Sequence, residues 1–205
     1  MRRKQNQDES LFGIAFSDTL LSMLGVIFLL FAFIIMIPHN PETPSMQGQL
    51  CVEISWDNSR DVDLDLWGKS PAEQNAVGYS NMHGDNLDLF RDCLGFSNNP
   101  THQNMELMCA QKIVPGEWTF NVSYYGDHAL PMGVTDSPID VTMVIRYKKV
   151  GVNSKSASDL ITKTATYHLT KSGQEKTMFD FVIDKNGDII ENSINSMQHL
   201  LRDAK

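Results

Sequence analysis

Residues 50–67 read LCVEISWDNSRDVDLDLW, and their period of two decides the fold. Leu50, Val52, Ile54 and Trp56 fall on one side of an extended chain, with Cys51, Glu53 and Ser55 on the other. After a polar break, Val62, Leu64 and Leu66 repeat the pattern against Asp61, Asp63 and Asp65. Successive side chains of a strand point to opposite faces, so this alternation marks half-buried strands. Further runs of strand length lie at 76–79, 105–110, 118–125, 141–147, 164–169 and 178–183, separated by clusters such as Gly68-Lys69-Ser70-Pro71 and Pro115-Gly116. Many short strands with turn punctuation predict an antiparallel β-sandwich, here over residues 50–190. A final hairpin is expected to turn at Asn186-Gly187. Residues 191–205 place Ile194, Met197, Leu200 and Leu201 on one helical face and predict a closing amphipathic helix.

Upstream the composition changes. Residues 38–49, PHNPETPSMQGQ, hold three prolines and few apolar groups and read as an extended linker or a plug segment. Before them, residues 11–37, LFGIAFSDTLLSMLGVIFLLFAFIIMI, form an apolar run broken by one charge, Asp18. A helix of that length is ~40 Å long, against ~30 Å of bilayer hydrocarbon, so the run predicts a single transmembrane helix. An unpaired carboxylate there costs ~2.5–3.5 kcal/mol on insertion scales, which points to a functional group or a paired one. Around Asp18 the helix carries Ala15, Leu21, Ser22 and Gly25 at helical spacing, a stripe that is mostly small or hydroxylated. An ion-carrying carboxylate, a register-fixing polar contact in a dimer and a group at the water interface are the three readings of it.

The basic start over residues 1–10, with Arg2, Arg3 and Lys4, places the N-terminus in the cytoplasm by the positive-inside rule and exports the rest. A cleaved signal peptide fits less well, because the apolar run is long, holds Asp18 and lacks a small-x-small site. The net charge of −8 resides in the exported part and argues against nucleic acid as a partner. Cys51, Cys93 and Cys109 all fall on that side, where disulfides form. A bridge from Cys93 to Cys109 would close a loop of ~15 residues worth up to ~3 kcal/mol, leaving Cys51 for an intermolecular bridge or for burial, but three pairings are possible.

The exported domain shows no catalytic set, and the chain is read as a non-enzyme. His39, His83, His102, His128 and His168 fall in loops or singly in a strand, with no G-x-S-x-G or H-E-x-x-H around them. No cofactor is implied. Two acidic groups offer the hard oxygen ligands that suit calcium: Asp61, Asp63 and Asp65 with Asp92, and Asp184, Asn186, Asp188 and Glu191. The second lacks the glycine at the sixth position of an EF-hand loop and is already explained as an Asn-Gly turn; the first otherwise reads as a solvated strand face.

The basic start followed by Phe16-Ser17-Asp18-Thr19-Leu20-Leu21-Ser22-Met23-Leu24 and a long apolar run resembles the single-span subunits ExbD, TolR and MotB. The resemblance implies a stator-like subunit of an ion-driven motor in the bacterial inner membrane. Two copies of the helix would sit inside five polytopic MotA-, ExbB- or TolQ-like subunits. Asp18 would carry H⁺ or Na⁺, with Ser17, Thr19 and Ser22 lining its path. Such motors serve nutrient uptake, envelope maintenance, motility and anti-phage defence.

Residues 50–183 resemble a YfaP-type exported β-sandwich, through Asp61-Val62-Asp63-Leu64-Asp65-Leu66-Trp67, a turn with Pro71, Gly78-Tyr79-Ser80-Asn81, Leu87-Asp88 and Pro115-Gly116-Glu117-Trp118-Thr119-Phe120-Asn121-Val122. This implies a periplasmic binding or structural module acting on an unidentified partner. It stands where ExbD and TolR carry a small α/β domain and MotB an OmpA-type domain.

Overall fold

The computed structural model describes residues 20–29, 50–95, 102–131, 133–134, 136–148 and 160–202. The chain divides into two compact units, Met1–Ser45 and Met46–Lys205. In the first, residues 20–29 form a helix whose every residue is exposed. Its large apolar side chains are 52–74% accessible. Among the described residues no helix is long and apolar enough to cross a membrane. Ser22 lies on this helix, whereas Ser17, Asp18, Thr19 and the linker at 38–49 lie outside the described residues.

The second unit is mainly β. Its strands are β1 (Leu50–Trp56), β2 (Val62–Lys69), β3 (Leu87–Arg91), β4 (Met105–Ala110), β5 (Gly116–Asp127), β6 (Asp136–Lys148), β7 (Leu160–Lys171) and β8 (Glu175–Ile183). A five-stranded sheet has the order β3-β4-β1-β6-β7 and a three-stranded sheet the order β2-β5-β8, all pairings antiparallel. Inward residues of both sheets, among them Val52, Ile54, Met143 and Ile145 from the first and Leu64, Leu66, Phe120 and Phe181 from the second, share one hydrophobic core. Two antiparallel sheets around a common core are consistent with the expected sandwich.

Several local expectations need correction. The stretch 76–79 is not a strand: Val77 bridges Gly68 and Gly78 bridges Asn81 in a tight loop. A Cβ on Gly78 would stand 2.6 Å from the Trp67 ring, so only glycine allows that approach. An additional strand, β3, pairs with β4 at the sheet edge.

The expected C-terminal helix is replaced by a single 3₁₀ turn at Glu191–Ser193 and an extended tail along β8. The Ser193 hydroxyl donates to the Ile190 carbonyl (2.6 Å), and the Asn195 side chain accepts from the Met197 N–H (2.8 Å). These side chains offer the backbone partners outside a helix. The tail is then held by β8: Asn195 exchanges two backbone bonds with Asp180, and the Leu201 N–H donates to Glu175 (2.8 Å). Leu201, counted as part of a helical stripe, instead packs with Trp67 and Ala76 on the outer face of the three-stranded sheet.

The disulfide joins Cys51 to Cys109. The two are directly opposed on β1 and β4. The sequence leaves three pairings open, and sheet register selects one by bringing Cys51 and Cys109 to a Cα separation of 4.1 Å. Cys93 is a buried thiol beside the Gln103 carbonyl (3.7 Å). The hairpin at Asn186-Gly187 is present, with Ile183 bridging Ile189.

Candidate functional site

The acidic face of β2 is the most unusual chemistry in the domain. Val62, Leu64 and Leu66 enter the core as expected. Asp63 and Asp65, on the opposite side, are not solvated; they are only 4% and 3% exposed. Asp92, immediately after β3, and Glu106, on β4, approach from the other sheet. One carboxylate oxygen from each of Asp65, Asp92 and Glu106 lies within 4.8 Å of those of the other two.

Glu106 gets there because it shares a strand face with Met108 and Ala110, both core residues. It is 1% exposed. Its Oε2 accepts from the Leu66 N–H at 2.6 Å and its Oε1 from the Cys93 N–H at 3.1 Å. β2 is an edge strand, so the Glu106 carboxylate occupies the place of a missing neighbour and links the two sheets.

Among the described residues no ion pair reaches Asp65, Asp92 or Glu106. Asp63 Oδ1, Asp65 Oδ2 and Asp92 Oδ1 are buried without a hydrogen-bond partner. Burial, reinforced by the charges of Asp63 and Asp92 and opposed by Arg202, pushes Asp65 up to about 7. Asp63 is pushed up to about 6, again by burial first, with His128 opposing and Asp92 adding to the rise. Glu106 is raised well above the carboxylate range by burial, against the two backbone donors. A fixed group of partly orphaned carboxylates is a hard-oxygen donor set.

Of the four calcium candidates, Asp65 and Asp92 converge and Asp63 is their electrostatic neighbour. Asp61 instead faces His128, 3.7 Å away. Glu106 escaped sequence reasoning, although a carboxylate on the apolar face of a strand was the available signal.

The second acidic group is absorbed by structure. Asp184 Oδ1 accepts from the N–H groups of Asn186 (2.8 Å) and Asp188 (2.9 Å) inside the hairpin turn, and Glu191 pairs with Lys163 (2.8 Å). A further trio, Glu117, Asp180 and His199, lies beside β5 and β8. There the imidazole turns one nitrogen toward each carboxylate, at 3.9 Å in both cases, so the carboxylates already share a partner.

Comparison with known proteins returns no match: no family model fits the chain, and no curated protein or solved structure aligns with it.

Proposed function

We propose that this chain is a stator-like subunit of an ion-driven motor, anchored by one span in a bacterial inner membrane, with its β domain in the periplasm. Asp18 carries H⁺ or Na⁺, and Ser17, Thr19 and Ser22 line its path. The observation that carries the reading is the lone carboxylate in the apolar run 11–37. Two structural facts support it. The helix at 20–29 exposes apolar side chains all round, as a segment does whose surroundings are lipid or other helices. The Cys51–Cys109 disulfide suits an oxidising compartment such as the periplasm.

Protonation on one side and release on the other would neutralise and recharge Asp18. Each proton crossing ~100 mV supplies about 2.3 kcal/mol. The β domain would transmit the resulting motion to a periplasmic partner.

The test is Asp18→Asn, which keeps the shape and removes the titratable proton. With the polytopic partner co-expressed, vesicles holding the wild-type complex take up protons, or Na⁺, down an imposed gradient. The variant assembles normally but loses that uptake. Equal uptake by the variant would overturn the assignment and leave a helix that only tethers the periplasmic module.

A further inference from the structure

We propose that Asp65, Asp92 and Glu106 form a calcium site at the joint between the two sheets, with Asp63 as an outer carboxylate. The site belongs to the domain after residue 50 and does not depend on the role of Asp18.

The ligands come from three separated places in the chain: Asp65 from β2 in one sheet, Glu106 from β4 in the other, and Asp92 from the end of β3. Folding therefore collects three carboxyl groups, and a fourth nearby, with Asp65 and Glu106 almost fully buried and Asp92 half-buried. Asp65 is 97% removed from solvent, yet its Oδ2 meets no donor, and Asp92 Oδ1 is likewise orphaned. The basic group acting on Asp65 is Arg202, which is engaged with the Ser123 hydroxyl at 3.2 Å; the one acting on Asp63 is His128. A buried carboxylate without a counter-charge costs several kcal/mol per ion, a cost that a bound cation would relieve.

The donor chemistry selects the ion. Calcium takes six to eight oxygens at ~2.3–2.6 Å, so its ligand oxygens stand up to ~5 Å apart, and the three oxygens here, all within 4.8 Å of one another, fit inside that limit. Three carboxylates supply up to six oxygens. Magnesium needs shorter, strictly octahedral bonds at ~2.0–2.1 Å, and zinc favours nitrogen and sulfur. Glu106 keeps lone pairs for the ion while accepting from Leu66 and Cys93, since an ionised carboxylate has about four acceptor sites. The ion would bind where the Glu106 bridge joins the sheets, so occupancy would add to folding stability by mass action.

The experiment uses the full-length chain in mild detergent, stripped of metal with a chelator and titrated with calcium chloride. Equilibrium dialysis gives bound calcium, and thermal unfolding of the domain reports stabilisation. The expected result is one calcium per chain, half-saturating in the ~0.1–1 mM range of extracellular modules, with a rise in the unfolding midpoint. Asp65→Asn and Asp92→Asn each shift half-saturation upward at least tenfold and remove most of the calcium-dependent rise. Both variants keep the midpoint of the metal-free wild type or exceed it, because each removes a repelling charge and donates no new strain.

Asp18→Asn protein binds the same single calcium, which separates this site from the ion path. The proposal is overturned if folded wild-type protein takes up no calcium at 10 mM, a concentration about tenfold above the expected range. It is equally overturned if Asp65→Asn and Asp92→Asn bind calcium as the wild type does.

Discussion

The Glu106 carboxylate on β4 accepts a 2.6 Å hydrogen bond from the backbone N–H of Leu66 on β2, a strand of the other sheet. This single side chain satisfies an edge donor that no strand reaches, and its second oxygen does the same for Cys93. Replacement by alanine orphans both donors at a cost of ~1–3 kcal/mol each, partly offset by relief of carboxylate repulsion. Glu106→Ala should therefore lower the metal-free unfolding free energy by roughly 2 kcal/mol net in a denaturant titration. An unchanged midpoint would mean that the bridge contributes nothing.

The same cluster sets a pH dependence. The folded-state values of about 6 for Asp63 and about 7 for Asp65 stand above the ordinary unfolded value. Between pH ~4 and pH ~7 the folded state thus holds more protons than the unfolded one, and stability of the metal-free protein falls as pH rises through that window. Glu106, raised by its burial, adds to the same fall. Asp127 acts oppositely: despite its burial, Ser137 and Arg60 hold it below its ordinary value. Its contribution is present above the unfolded value, and is lost as pH falls below ~4 through the lower folded value. Unfolding midpoints of chelator-treated protein from pH 4.5 to 7.5 should decline. A steady increase over the same range would contradict these environments for Asp63 and Asp65.

Glu73 staples a loop in a comparable way. Its carboxylate accepts from the N–H groups of Asp85, Asn86 and Leu87, each at 2.8 Å. With Glu73→Ala these three amides lose their acceptor, at ~1 kcal/mol or more apiece. Hydrogen exchange should accelerate at 85–87 well before it does in β1. Protection unchanged at those amides would show that the loop is held by something else.

Cross-strand register gives a chemical prediction about the thiols. Protein unfolded without reductant should take up one alkylating group, at Cys93, and two more only after reduction. Losing the Cys51–Cys109 link, whose ends are 58 residues apart, should cost about 4 kcal/mol in the chain-entropy picture. Peptide mapping that finds Cys93 in the bridge would reverse this assignment.

Much of the fold was legible because β1 and β2 alternate so regularly that inward and outward residues could be named from spacing. Other features were hidden for identifiable reasons. β3 is only five residues long and its register is broken between Leu89 and Arg91, so its period is too short to read. The tail from Ile194 to Leu201 has helical spacing, but Ser193 and Asn195 divert their side chains to the backbone and β8 captures the chain.

At the candidate site, Asp63, Asp65 and Asp92 were visible as acids, but the near-complete burial of Asp63 and Asp65 was not. Their burial depends on which sheet closes over β2. Glu106 was camouflaged within a strand, since nothing local says that its apolar face meets the edge of another sheet. The pairing of Cys51 with Cys109 follows from register between β1 and β4, which loop length alone does not encode.

Intact mass measurement of the complex is the most direct test of the motor reading. The chain would be purified in mild detergent after co-expression with any polytopic membrane subunit encoded beside it. Five polytopic subunits around two copies of this chain, retained in Asp18→Asn protein, is the predicted result. A monomer or dimer that purifies without any polytopic companion would contradict it.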